Sequence, residues 1–145
     1  MTSMPLEIAR FLTQKGIGVY DEVQGTTNPA HNIFIGIMPD GAGIPADLIL
    51  LNQSAGRQSI QKNTADIQRP GLQVKCRAQY YDDAETRATE INNLLDQYIG
   101  LIDATYYNSI RQIQAPFFLE QDDNERIIFC QNFYIDREVK VSHGK

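Results

Sequence analysis

PGLQVKCRAQY, at residues 70–80, is the segment with the most regular pattern in the chain. Apolar residues occupy every second position, namely Leu72, Val74, Cys76, Ala78 and Tyr80. The polar residues between them are Gln73, Lys75, Arg77 and Gln79. A period of two is that of a β-strand with one buried face. We therefore expect a strand that turns its apolar face to the core.

A helix with one apolar face is predicted directly after this strand. Asp82 or Asp83 is expected to open it, and Glu85 lies three residues after Asp82, as in a capping box. Its apolar residues recur at spacings of three and four: Ala84, Ala88, Ile91, Leu95, Tyr98 and Ile102. This spacing is typical of an amphipathic helix, so we expect its apolar face to pack on Val74 and Cys76.

The N-terminal region predicts a second, shorter helix from Met4 to Lys15. Ser3 can cap it, and Pro5 falls in the first turn, where a missing N–H costs nothing. Gly16 suits a left-handed stop. A short strand is expected next, at residues 18–23.

Strands account for most of the remaining chain. Residues 33–38 and 48–51 are apolar on both faces, which indicates strands that are covered on both sides. The last third predicts further strands, at residues 106–114, 117–120 and 126–135. Asp122–Glu125 is expected to form the turn of a hairpin, although it lacks the glycine usual in such a turn. Residues 139–145 are expected to be a frayed tail.

A long polar segment lies between the strands at residues 52–68. It holds two large apolar residues, Ile60 and Ile67. Loops of this length are uncommon inside compact domains and are usually functional or mobile. We interpret the segment as a polar assembly loop that projects from the sheet.

These elements predict an α+β fold in one domain, residues 1–145. We expect a mainly antiparallel sheet with two helices packed on one face. The expected order is helix, three strands, the long polar loop, a strand, a helix and two strands.

The composition argues against several classes of function. The chain has 145 residues and a formal net charge of −5, and its Lys and Arg residues form no basic run. Stable binding to nucleic acid or to an anionic membrane depends on a basic patch, so we expect neither. No apolar run reaches membrane-spanning length, and the N-terminus has no basic stretch followed by an apolar one, as a secretory signal would.

No motif in the sequence assembles a catalytic or metal site. His31 and His143 have no metal ligand at the usual spacing. Cys76 and Cys130 are expected to be buried thiols. A nucleophile elbow and a phosphate-binding glycine motif are both absent from the sequence. We therefore expect a protein that is not an enzyme and that uses no cofactor.

Two segments together resemble a known family. The first is QRPGLQVKCRA at residues 68–78, followed by Tyr80 and the amphipathic helix. The second is PFFLE at residues 116–120, followed by Asp122, Asp123, Arg126, Ile128, Phe129 and Asn132. In this order they resemble the tailed-bacteriophage minor capsid proteins that act as tail terminators, also called tail-completion proteins. The resemblance covers nearly the whole chain.

The resemblance implies a virion structural protein with no catalytic residue. It implies a hexameric ring at the head-proximal end of the tail tube, which stops tube growth and joins the tail to the DNA-filled head. The implied partners are further copies of the chain, the tail tube protein and a head-completion or connector protein. DNA is expected to pass through the lumen without stable binding. The implied location is the virion tail, assembled in the cytoplasm of the host bacterium.

The expected subunit interface is polar at its rim. Ring subunits bury the edges and the outer face of their sheet against neighbours, and interface rims are polar. The polar loop and the polar face of the strand at 70–80 supply the candidate interface residues, which are Arg57, Gln58, Lys62, Asp66, Arg69, Lys75 and Arg77.

Two other functions are compatible with this fold class. A neck protein, either a head–tail connector or a stopper, would also be a small ring former. A regulatory or small-ligand-binding α+β module would instead need a pocket with a few convergent polar groups. Lys75, Arg77 and Arg111 are the candidates for such a pocket.

Overall fold

The computed structural model describes residues 2–22, 32–39, 44–61 and 65–140. Two helices are present in these ranges, α1 (Met4–Gln14) and α2 (Tyr81–Leu95). The strands are β1 (Ile33–Ile35), β2 (Leu48–Ser54), β3 (Ile60–Gln61), β4 (Ala65–Gln68), β5 (Gly71–Ala78), β6 (Gly100–Ile102), β7 (Thr105–Gln112), β8 (Phe117–Gln121) and β9 (Ile127–Lys140). The α+β class is confirmed, but the order of the elements differs from the expected one.

The long strand β9 organises a nine-stranded sheet. Along one edge it pairs first with β5 and then with β4. Along the other it pairs with β8 and then with β7. All of these pairs are antiparallel, whereas β1 pairs with β2 in parallel. The sheet is therefore mostly antiparallel, as predicted, and one strand holds four neighbours together.

The core lies between one face of the sheet and both helices. Ile49 lies opposite Cys76, and Leu51 lies opposite Val74, so alternate residues of β2 and β5 face the same side. They form one buried cluster with residues of α1 and α2, which include Ile8, Leu12, Ile91 and Leu95. The predicted contact of the α2 face with Val74 and Cys76 is thus consistent with the structure. Tyr80, expected on the buried face of the strand, is instead 65% exposed beyond its end.

The helix termini differ from the sequence expectation. Ser3 occupies the N-cap position of α1, but its side chain makes no capping hydrogen bond. Helix α2 begins at Tyr81, so Asp82 and Asp83 lie in its first turn rather than before it. Carboxylates at that position are favoured by the helix dipole. Gly16 adopts the predicted left-handed conformation, with φ +78°.

The expected strand at residues 18–23 is absent from its described part, residues 18–22. The backbone N–H of Val19 instead donates to the side chain of Asn32, and that of Tyr20 donates to the Thr13 hydroxyl. Hydrogen bonds from these backbone N–H groups to side chains thus take the place of the hydrogen bonds to a neighbouring strand that the prediction required.

The prediction of one polar loop over residues 52–68 is wrong in its secondary structure. Strand β2 continues to Ser54, and β3 and β4 form an antiparallel pair in which Ile60 lies opposite Ile67. Strand β4 also pairs with the end of β9. Ile60 and Ile67 therefore anchor the segment to the sheet, although the sequence around them is largely polar.

The frayed tail expected from residue 139 begins later than predicted. Strand β9 extends to Lys140, and Val139 lies opposite Asp66 of β4. The pairing with β4 supplies the backbone partners that a frayed end would lack. Residues 141–145 of the predicted tail lie outside the described residues.

A buried ion pair fixes α1 to the sheet. Glu7 of α1 and Arg137 of β9 lie 2.6 Å apart, with side chains 1% and 4% exposed. Glu7 also accepts hydrogen bonds from the hydroxyls of Tyr107 and Thr105. Arg137 in turn donates to the side-chain oxygen of Gln68. The network ties α1 to β4, β7 and β9.

Candidate assembly surfaces

Arg77 is not available at the surface, contrary to its selection as an interface residue. It is 2% exposed, and its guanidinium donates to the carbonyl oxygens of Pro39, Pro45 and Ala46. Arg77 lies opposite Leu48 in the sheet, on the face away from the helices. Its hydrogen bonds therefore bring the segment before β2 over that face.

The expectation that neighbouring subunits bury the outer face of β2 is wrong for the same reason, because that face is already covered within the subunit. Leu48 and Leu50 are 2% and 3% exposed within the single subunit. In β1, by contrast, Ile35 is 36% exposed, and Ile37 just beyond that strand is 83% exposed. The edge strand β1 thus leaves apolar surface for a partner.

The remaining candidates are spread over the surface. Gln58 is exposed between β2 and β3, Asp66 is half-buried on β4, and Lys75 is half-buried on β5. Lys62 lies outside the described residues. The three described residues lie in three different parts of the sheet region.

Two candidates, Arg57 and Arg69, are brought together at a single carboxylate that the sequence did not single out. Arg57 Nη2 donates to Asp136 Oδ1 at 2.6 Å, and Arg69 Nε donates to the same oxygen at 3.3 Å. The Arg57 guanidinium also lies over the ring of Tyr134, 4.7 Å from its centroid. Glycine at position 56 is required here, because a Cβ on Gly56 would lie 2.1 Å from the carbonyl oxygen of Arg69.

These arginines line a polar cleft of about 400 Å³, here called the arginine cleft. Its cationic lining residues are Arg57, Arg69 and Arg137. Its polar lining residues include Gln53, Ser54, Ser59 and Gln68, and Ser3 and Met4 add the first residues of α1. The described lining contains no Asp or Glu. A helix N-terminus also carries a partial positive charge, so the charged groups that line the cleft are positive in a chain whose formal net charge is −5.

The hairpin between β8 and β9 ends in an acidic tip, defined here as residues 120–126. Asp122 Oδ1 accepts from the backbone N–H groups of Asn124 and Arg126, at 3.0 and 2.9 Å. Arg126 Nε donates to Asp122 Oδ2 at 2.8 Å. Burial acts to raise the pKa of Asp122, but these hydrogen bonds and the Arg126 charge together lower it.

The same turn explains how the hairpin forms without glycine. Glu125 takes the left-handed position, with φ +63°. This conformation costs a non-glycine residue roughly 1–2 kcal/mol, and the hydrogen bonds to Asp122 hold it in place. Glu120, Asp123 and Glu125 remain exposed around the tip.

Large apolar side chains are exposed in two further places. Ile99, Leu101 and Tyr106 are 65%, 62% and 40% exposed beside β6 and β7. Near the start of α2, the rings of Tyr81 and Phe118 stack with centroids 5.9 Å apart, and both are close to half exposed. Exposed groups of this kind often mark protein contacts.

The described residues contain no cluster of three or more potential metal ligands. His31 and His143 lie outside them. Burial raises the pKa of the Cys76 thiol to about 12, and it also raises that of Cys130. Both thiols are therefore in their unreactive protonated form at neutral pH. Among the described helices, none is long and apolar enough to cross a membrane.

Comparison with known proteins gives one family match by sequence and a similarity in fold to a solved structure. The sequence model of a family described as "Bacteriophage tail terminator protein" matches residues 11–139. No curated protein sequence matches the chain. A solved chain from the "Virion of native gene transfer agent (GTA) particle" has a similar fold, with a TM-score of 0.60 and 8% sequence identity. The similarity covers 93% of this chain and 96% of that chain.

Proposed function

The chain belongs to the bacteriophage tail terminator family, and on this premise we propose that it closes the tail tube as a hexameric ring. In this role it stops growth of the tube and offers the surface to which the DNA-filled head attaches. The match over residues 11–139 carries the proposal, because it spans all of α2, nearly the whole sheet and the last turn of α1.

The structural relative supports the same class of role. That chain is part of a virion particle, and the similarity in fold extends over nearly the full length of both chains. A virion structural protein needs surfaces rather than a catalytic centre, and the described residues offer several. These surfaces are the edge strand β1, the exposed apolar groups, the arginine cleft and the acidic tip.

A closed ring requires two different surfaces on each subunit, since every subunit contacts one neighbour on each side. We assign the described candidates Arg57, Gln58, Asp66, Arg69 and Lys75 to these contacts. Of the predicted assembly loop at residues 52–68, we keep the assembly role for the part between β2 and β4, residues 55–64, which include Lys62. The described part of that segment, residues 55–60, is exposed and carries little apolar surface besides Ile60.

The further partners are the tail tube protein on one side of the ring and a head-completion or connector protein on the other. DNA passes through the lumen of the ring. A formal net charge of −5 disfavours stable binding to phosphates, so the ring lets DNA move through it. Assembly takes place in the cytoplasm of the host bacterium, and the finished ring lies at the head-proximal end of the tail.

Phage particles assembled without this chain test the proposal. The expected result is tail tubes of excess and variable length that do not join heads, measured on electron micrographs. Supplying the chain from a plasmid should restore uniform tails. Tails of normal length that remain unattached would contradict the terminator role and would indicate a connector instead.

A further inference from the structure

The arginine cleft and the acidic tip lie at opposite ends of strand β9. The acidic tip directly precedes Ile127, where β9 begins, and Arg137, near the other end of β9, lines the cleft. From residue 126 to residue 136 an extended strand spans roughly 30 Å, at about 3.3 Å per residue. One subunit therefore cannot bring its own tip into its own cleft.

Two arginines of the cleft share one carboxylate among the described residues. Arg57 and Arg69 both donate to one oxygen of Asp136, and Arg137 is paired with Glu7. Three guanidinium groups therefore face two carboxylates. Each guanidinium has five N–H donors, and Arg57 and Arg69 each use one of theirs on this carboxylate. The chemistry of the cleft fits a further carboxylate, which arginine binds in a bidentate manner.

The acidic tip has more negatively charged than positively charged side chains. Its only cation, Arg126, is engaged by Asp122, and Glu120, Asp123 and Glu125 remain exposed. The hydrogen bonds around Asp122 hold the turn in one conformation. A rigid element loses less conformational freedom on binding than a flexible one, so the tip is suited to insertion.

We propose that the acidic tip of one subunit enters the arginine cleft of the next copy of this chain. The inference rests on the proposed ring and names the contact that builds it. The two patches are different and lie far apart, so the contact is head-to-tail and repeats around the assembly until it closes.

Other exposed carboxylates fit the cleft less well. Asp82, Asp83 and Glu85 lie on α2, and a helix with its side chains is about 10 Å across. The hairpin instead ends in a tight turn between two strands, and its carboxylates lie at that projecting end rather than along the side of an element. A cleft of about 400 Å³ therefore accepts the tip more readily than the side of a helix.

Two charge-reversal variants test the contact, Asp123→Lys at the tip and Arg57→Glu at the cleft. Each alone should weaken association at least about tenfold, since like charges that face each other cost more than 1.4 kcal/mol. Mixed in equal amounts, the two should assemble again. In the mixture the unchanged tip meets the unchanged cleft, and the reversed tip meets the reversed cleft. Particle mass from light scattering and ring counts in negative-stain images measure the outcome, with and without tail tubes.

Glu85→Lys and Arg111→Glu serve as matched controls, since both residues are exposed outside the two patches. They should assemble like the unaltered chain, and melting temperatures should show that every variant folds. If either reversal assembles normally, or if the folded variants do not recover on mixing, the tip-to-cleft contact is wrong while the ring itself stands. If the unaltered chain forms no ring and binds no tube end, the proposed function fails along with the contact.

Discussion

Replacing Glu7 with Gln removes one negative charge from the interior without changing the shape of the side chain. In the folded protein this carboxylate lies 2.6 Å from Arg137 Nη1 and accepts the Tyr107 hydroxyl at the same distance. Without the charge, the buried guanidinium loses its carboxylate partner, and its acceptors on Gln68 and Thr2 are neutral. Removal of one partner of a buried pair costs about 3–5 kcal/mol.

The expected loss of folding stability can be measured by thermal or urea unfolding. For a domain of this size, each kcal/mol lowers the melting temperature by about 2–4 °C, so Glu7→Gln should lower it by about 6–20 °C. The control is Glu85→Gln, a change at an exposed carboxylate of α2 that should stay within about 0.5 kcal/mol.

A combined variant separates the effect of charge from that of packing. Glu7→Leu, Arg137→Met and Tyr107→Phe together remove both charges and the Tyr107 hydroxyl, and leave the half-buried Thr105 hydroxyl without its Glu7 acceptor. Apolar replacement of a whole buried ion pair is often neutral or stabilising. The triple variant should therefore be more stable than Glu7→Gln. A melting temperature for Glu7→Gln within about 2 °C of the unaltered protein would refute this account of the network.

Three further results are expected. Leu95→Ala should lower the free energy of unfolding by about 2–5 kcal/mol, because Leu95 is fully buried. The control Leu101→Ala, at a 62% exposed position, should change the melting temperature no more than an ordinary surface variant does. A thiol reagent at pH 8 should modify neither Cys76 nor Cys130 in the folded protein and both in urea, since burial raises the pKa of each thiol; rapid labelling of the folded chain would show that this part of the core is open. Burial also raises the pKa of Tyr107 above that of the unfolded chain. The stability that Tyr107 contributes is therefore complete below a pH of about 10 and is lost as the pH rises further. Tyr107→Phe should reduce the fall in unfolding free energy above that pH, and an unchanged fall would contradict the assignment.

The regular elements could be predicted because their periodicity is local. The alternation in β5 and the three-and-four spacing in α2 depend on residues within one strand or one helix. Strand β5 and the start of α2 lie close to their expected bounds, but α2 ends at Leu95, and Ile102, expected on its apolar face, lies in β6. The turn at the acidic tip was placed correctly as well. The left-handed conformation of Glu125 could not be predicted, because glutamate is not a residue type that indicates such a conformation.

The buried charges could not be predicted from the same patterns. Glu7 lies in a helix that reads as amphipathic, and its partner Arg137 is 130 residues away. Arg77 was assigned to a solvent-facing side because its strand alternates, yet the segment before β2 covers that side. In both cases a distant segment determines the environment of the residue, and no local pattern reports it.

The arginine cleft shows the same limit at an assembly surface. Arg57 and Arg69 could be named from the polar character of their segment. Their convergence on Asp136 depends on the close approach of two backbone segments at Gly56. The short pair β3 and β4 was missed for a related reason, since its anchoring residues Ile60 and Ile67 lie in a largely polar sequence.

The terminator role can be examined by electron microscopy of purified tail tubes mixed with this protein. The proposed function predicts a six-fold ring at one end of each tube and no further addition of tube protein at that end. Tubes that bear no added density and continue to grow in the presence of excess folded protein would contradict it.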